Sequence, residues 1–157
     1  MAKSSLSLSH LLPHFPESNL SNHSEPQQVP PCVLVVDNRP ADTLIMSHYL
    51  RQFGCHHHIA ATCEAAAAHI EGHSPYDAIF VDLATLGADK NGLLPLIRGR
   101  GQRSEKRRTQ IIAMSASAFE DTRNAAGFGF DGYLTKPCNP RLLAQKLGVR
   151  DEDSPVR

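Results

Sequence analysis

The chain has no excess charge of either sign. Its 157 residues hold 16 Lys+Arg against 16 Asp+Glu, which removes the whole-chain electrostatic case for nucleic acid or an anionic membrane. No apolar run approaches the ~20 residues that a membrane-spanning helix needs. The opening residues, Met1-Ala2-Lys3-Ser4-Ser5-Leu6-Ser7-Leu8, alternate serine with leucine, so the unbroken apolar stretch of a signal peptide is missing. The cysteines Cys32, Cys55, Cys63 and Cys138 form no C-x-x-C pair. That spacing fits free thiols in a reducing cytosol better than a disulfide framework, and a cytoplasmic location is expected. No glycine-rich phosphate loop follows the first apolar run, which argues against an enzyme with a nucleotide cofactor. There is no internal repeat.

What is present reads as one domain. A chain of this length buries roughly two-thirds of its unfolded surface, enough for a real core. Residues 1–31 are rich in Ser, His, Pro and Asn and end in Gln27-Gln28-Val29-Pro30-Pro31, the composition of a disordered leader. Leu8, Leu11, Leu12 and Phe15 would suit one apolar helical turn, but Pro13 and Pro16 oppose it. From Cys32 to residue 148 continuous apolar runs alternate with helical patterns, the signature of an α/β domain with a parallel sheet covered on both faces. Residues 149–157 form a short polar tail.

Along this domain, a first helix is expected from Pro40, with Ile45, Tyr49 and Phe53 as its buried stripe and Gly54 as its end. A short strand, His57 to Ala61, precedes a helix over Ala65–Ile70 that Gly72 stops. A loop from Leu83 to Asn91 leads to a short helix over Leu93–Ile97, with Pro95 in its first turn. Ser117-Ala118-Phe119-Glu120 has the form of a capping box that opens another helix, closed by Gly127 and Gly129. Asn139 and Pro140 read as the N-cap and first residue of a last helix, with Leu142, Leu143 and Leu147 facing inward.

Four predicted strands stop on polar residues suited to phosphate chemistry. Val33–Val36 stops on Asp37, Ala78–Val81 on Asp82, Ile111–Met114 on Ser115, and Tyr133–Thr135 on Lys136, which Pro137 follows. In an open parallel sheet, ligands bind at the carboxyl ends of the strands. Adjacent strands would therefore bring two carboxylates, a hydroxyl and an ammonium to one crevice. A carboxylate can accept a phosphoryl group as an acyl phosphate. Mg2+ screens the charges by taking oxygen ligands from Asp37, Asp82 and a backbone carbonyl such as that of Ala84. Lys136 would pair with one phosphate oxygen, and Ser115 would donate to another. Drawing Ser115 toward the new charge would move the loop behind it, which makes a switch. Taken singly, a strand-end Asp also serves as a helix cap, and Ser115 and Tyr133 also serve as a loop hydroxyl and a packing ring.

The run Val33-Leu34-Val35-Val36-Asp37, with Ile79-Phe80-Val81-Asp82, Ile111-Ile112-Ala113-Met114-Ser115-Ala116 and Gly132-Tyr133-Leu134-Thr135-Lys136-Pro137, resembles the receiver domain of two-component response regulators. The stretch Ile111–Ala118 is similar to receivers attached to hybrid histidine kinases. The resemblance covers residues 32–148. It implies a flavodoxin-like, doubly wound five-stranded sheet of order 2-1-3-4-5. It also implies Asp82 as phosphoacceptor, Asp37 in the metal site, Ser115 as switch hydroxyl, Lys136 as phosphate partner and Tyr133 as the aromatic that turns inward. Three features depart from the family pattern. Asn38 stands where a second acidic metal ligand is usual; its neutral amide either ligates Mg2+ weakly or caps the first helix. Thr85-Leu86 replaces the usual Met-Pro after the phosphoacceptor, and the loop before Asn91-Gly92 is longer.

These readings predict a stand-alone receiver that is not an enzyme. The resemblance implies that it would take a phosphoryl group from a histidine kinase or histidine phosphotransfer protein and signal to a downstream protein partner. The rival is a phosphorylation-independent pseudo-receiver that acts as a protein-interaction module. Two other clusters are assigned no role. In Cys55-His56-His57-His58, with Cys63 nearby, strand alternation sends His57 away from His56 and His58, so zinc is not expected. Arg98, Arg100, Arg103, Lys106, Arg107 and Arg108 lack interleaved aromatics and read as a solvated loop, not a nucleic-acid site.

Overall fold

The computed structural model describes residues 29–73, 75–87, 90–100, 108–117 and 129–150. The five strands are β1 (Cys32–Val36), β2 (His56–Ala60), β3 (Ala78–Asp82), β4 (Gln110–Ser115) and β5 (Gly132–Thr135). Every neighbouring pair is parallel, and the order is β2-β1-β3-β4-β5. This is the expected flavodoxin-like sheet. The described helices are α1 (Pro40–Gln52), α2 (Cys63–Gly72), the single turn α3 (Leu83–Leu86), α4 (Lys90–Arg100) and α5 (Pro140–Leu147). The expected capping box at Ser117–Glu120 and its helix lie outside the described residues, as do the leader up to residue 28 and the tail from residue 151.

Side chains alternate between the two faces of a strand, and both faces are covered. Leu34, Val36, Ile79, Val81 and Ile111 pack with Ala66 and Ile70 of α2 and Leu93 and Ile97 of α4. Val33, Val35, Phe80, Ile112 and Met114 pack with Met46 and Leu50 of α1 and Leu143 of α5. Each such large side chain stabilises the fold by roughly 1.5–3 kcal/mol when fully buried. Thr62 caps α2 by accepting from the Ala65 N–H at 3.1 Å, and Asn139 caps α5 by accepting from the Arg141 N–H at 2.9 Å.

Several expectations need correction. In α1 the inward residues are Met46, Ser47 and Leu50, while Ile45 is exposed. Tyr49 and Phe53 pack only at the edge of the core. The stripe is thus rotated by one residue, about 100° on a helix. In α5 Leu143 is buried but Leu142 is exposed. Helix α4 starts at Lys90, so Pro95 lies inside it and not in its first turn. The buried Leu93, Leu94 and Ile97 hold that helix against the sheet. The segment after Asp82 begins with a helical turn, α3, where a loop was expected. Arg98 and Arg100 belong to α4, not to a loop. Arg98 pairs with Asp131 at 3.0 Å, and Arg108 reaches the same carboxylate at 3.2 Å.

Candidate functional site

The strand order decides which chain segments meet. β1 and β3 are neighbours and end on Asp37 and Asp82; β5 lies two strands from β3 and ends beside Lys136. Lys136 spans that gap with its four-carbon stem. Its Nζ lies 2.5 Å from Asp37 Oδ2 and 3.0 Å from Asp82 Oδ1. It also lies 3.0 Å from Asp42 Oδ2, contributed by the first turn of α1. The side chains of Asp37, Asp82 and Lys136 are 0 %, 5 % and 9 % exposed, so this is a desolvated cluster and not a surface ion pair. Burial pulls the Lys136 ammonium toward the neutral form, but hydrogen bonds to Asp37, Asp42 and Asp82 push it well above the ordinary lysine value. The lysine is a fixed cation.

The remaining carboxylate oxygens are also engaged. Asp37 Oδ1 accepts from the Arg39 N–H at 2.9 Å. Asp82 Oδ2 accepts from Thr85 twice, from its N–H at 2.9 Å and from its hydroxyl at 2.7 Å. Asp82 therefore does serve as a helix cap, for α3, while it faces Lys136. The Thr85 hydroxyl in turn accepts from the Asn38 N–H at 3.0 Å, which ties the end of β1 to α3. Asn38 itself is exposed. It does not cap α1: the cap position is Arg39, with extended backbone and no side-chain cap bond. Ala84 is an exposed residue of the α3 turn, next to Thr85.

Ser115 ends β4 one residue beyond Met114, the register partner of Asp82. It is 7 % exposed. Its hydroxyl accepts from the Ser117 N–H at 3.1 Å, and its carbonyl accepts from the Lys136 N–H at 2.7 Å. The Tyr133 hydroxyl donates a short bond to the Ser117 carbonyl. Ser115, Ser117 and Tyr133 thus connect the end of β4 to β5.

Sequence reasoning missed two residues of this site, Asp42 and Thr85. Asp42 had a signal: it is the acidic residue of the first turn of α1, the helix that follows the Asp37 strand end. Thr85 was noted only as a departure from a pattern, yet it is the residue that grips Asp82.

A family model for the response regulator receiver domain matches residues 33–148. The chain belongs to that family. The sensor protein GacS of Pseudomonas syringae pv. syringae is 30 % identical over 116 residues, which is 73 % of this chain and 13 % of that protein. The sensor histidine kinase GacS of Pseudomonas protegens is 30 % identical over 131 residues, 83 % of this chain and 14 % of that one. The chain therefore spans only about one-seventh of the length of these relatives. Among solved structures, one is the receiver domain of the sensor histidine kinase PA1611 from Pseudomonas aeruginosa PAO1, with a magnesium ion coordinated in its active-site cleft. It superposes with a TM-score of 0.63 at 26 % identity, covering 76 % of this chain and 95 % of that one. A co-crystal structure of the Saccharomyces cerevisiae histidine phosphotransfer signaling protein Ypd1 and the receiver domain of its downstream response regulator Ssk1 matches with a TM-score of 0.62 at 25 % identity. The match covers 76 % of this chain and 89 % of that one. The chain is a receiver of two-component, phosphorelay-type signalling. Among the described residues no helix is long and apolar enough to cross a membrane.

Proposed function

We propose that Asp82 accepts a phosphoryl group from a phosphohistidine, carried by a histidine kinase or a histidine phosphotransfer protein, and that this changes a protein-binding surface. The reading rests on one observation: Lys136 gathers the Asp37, Asp42 and Asp82 carboxylates within 3.0 Å of its ammonium. An Asp82 oxygen attacks phosphorus. A P–O bond forms as the P–N bond breaks, and the electron pair leaves with the imidazole nitrogen, which takes a proton from solvent. Lys136 then gives up carboxylate contacts and pairs with a phosphoryl oxygen, and Ser115 donates to another. The Ser115 hydroxyl can donate while it still accepts from the Ser117 N–H, so its movement draws Ser117 along, and Tyr133 follows because its hydroxyl is tied to Ser117. Among the described residues, the surface that responds comprises Ser117, β5 and α5. The module comprises residues 32–148, acts in the cytoplasm and has no catalytic turnover of its own substrate.

The donor set fits magnesium. Three carboxylates against one ammonium leave a local charge of −2, from the same contacts, and every donor is a hard oxygen. Asp37, Asp82 and the Ala84 carbonyl would hold the ion, while Asn38 offers only a neutral amide oxygen. Bound magnesium screens the repulsion between the carboxylate and the incoming phosphoryl group.

One observation favours the rival, a pseudo-receiver that binds its partner without phosphorylation. Thr85 occupies Asp82 Oδ2 with two hydrogen bonds. Phosphotransfer from candidate kinases to the wild type and to Asp82→Ala separates the two. Label on the wild type alone supports the phosphoacceptor. Label on neither, together with unchanged Ser115 and Tyr133 amide resonances under Mg2+ and beryllofluoride, leaves the binding module.

A further inference from the structure

Three histidines from two elements meet at an edge of the sheet, apart from the carboxylate cluster. β2 is an edge strand, and His58 is its central residue. His69 lies in the last turn of α2, and His73 is the residue that caps it. The His73 N–H bonds the His69 carbonyl as the helix closes, and both rings face His58 of β2. The ring centroids are 5.1 Å apart for His58 and His69, 4.7 Å for His58 and His73, and 5.6 Å for His69 and His73. One ring nitrogen from each residue lies within 4.8 Å of the others. Rings this close repel when charged. Burial, then His73, His69 and His57, hold His58 below the ordinary histidine value. Neutral imidazole is the form that ligates metals. His58 Nδ1 also lies 2.9 Å from the hydroxyl of Tyr76. Tyr76 is 3 % exposed, and burial pushes its phenol up to about 12, so it stays protonated at neutral pH. With Nδ1–H donating to the phenol oxygen, His58 Nε2 keeps its lone pair for a metal, and the bond fixes the ring orientation.

We propose that His58, His69 and His73 form a binding site for a borderline divalent transition metal, with Zn2+ as the principal candidate. Imidazole donors suit zinc, copper and nickel, whereas Mg2+ prefers oxygen. Zn–N bonds of about 2.1 Å in a tetrahedral site place ligand nitrogens roughly 3.4 Å apart, so the rings must close by little more than about 1 Å. His73 is exposed and free to make that adjustment. Three protein ligands leave a fourth position for water or an external group. The bound ion would pin the end of α2 to the sheet edge. Strand alternation separates the ligands of the Cys55–His58 run, but here only His58 comes from that run, His69 comes from α2 and His73 from its C-cap.

Calorimetric titration of the full chain with Zn2+ tests this, with cysteines kept reduced and millimolar Mg2+ present to occupy oxygen sites. The wild type is expected to bind one equivalent with micromolar affinity or better. His73→Ala should weaken it at least about tenfold, and His69→Ala with His73→Ala about a hundredfold or more. His56→Ala, outside the cluster, should change it less than about twofold. Cu2+ bound to the wild type should show electron-spin coupling to imidazole nitrogens that His73→Ala reduces. Zinc affinity in the double variant within about twofold of wild type overturns the site, as does the absence of binding to the wild type. If the double variant misfolds by circular dichroism, the exposed His73→Ala alone decides.

Discussion

Lys136 is held in its cluster by opposing influences, and its variants report on them. Because the folded state raises its proton affinity, the fold retains that proton at pH values where the unfolded chain has lost it. The stabilisation is complete below the unfolded value, about 10.4, and is lost as pH rises through the folded value above it. Lys136→Met should remove this alkaline limb. At neutral pH it should also cost about 3 kcal/mol, the low end for breaking a buried pair, because Asp42 is partly exposed and can rehydrate. Urea melts at neutral and alkaline pH check both statements; an unchanged alkaline slope would refute the first. Thr85 acts in the opposite sense. Its hydroxyl stabilises the Asp82 carboxylate and so lowers its reactivity as the proposed phosphoacceptor. Losing one such bond, about 1 kcal/mol net, should speed phosphorylation of Thr85→Ala by a small phosphodonor roughly fivefold. A slower variant would show that the threonine positions Asp82 for reaction and does not restrain it.

Helix α4 poses a conflict between local preference and tertiary packing. Pro95 sits at its sixth residue, where the ring clashes with the carbonyl of residue 91 and removes a hydrogen bond. Pro95 is exposed, so its side chain gives no core contact in return. Pro95→Ala should therefore stabilise the fold by about 1–3 kcal/mol, read as a raised urea midpoint with an unchanged m-value. The same conflict explains what the sequence made legible. The strands were legible because burial on both faces makes each one an unbroken apolar run. The strand order came from the resemblance alone, since no local pattern records which strands pair. Helix faces were less legible: Ile45 and Leu142 are apolar enough to suggest burial, yet each lies one residue beside the true inward position. Of the site, Asp37, Asp82 and Lys136 were legible because each stands at the carboxyl end of a strand. Asp42 and Thr85 were not, because they reach the same point from a helix and a turn whose docking angles are set by long-range contacts. The histidine cluster escaped for that reason too: its members lie up to 15 residues apart, and only the packing of α2 on β2 joins them.

At the scale of the whole molecule, the carboxylate cluster joins β1, β3, α1 and the end of β5, so a ligand there braces elements far apart in the chain. Small single domains of this kind unfold as one unit, and binding to the folded state alone stabilises the whole by an amount set by concentration and affinity. Mg2+ at about 100 times its Kd for the proposed site should add about 2.7 kcal/mol to unfolding. Each carboxylate changes that affinity by about tenfold, or 1.4 kcal/mol. At the same Mg2+ concentration, Asp37→Asn should retain only about 1.4 kcal/mol of the increment. Asn38→Asp, which restores a second acid at the end of β1, should raise it to about 4.1 kcal/mol. The ordering matters more than the values. Thermal melts with and without Mg2+, at constant ionic strength to hold charge screening fixed, measure it directly. A magnesium increment equal in all three proteins would mean that the ion binds elsewhere, and phosphoryl transfer at Asp82 would lose its proposed counter-ion.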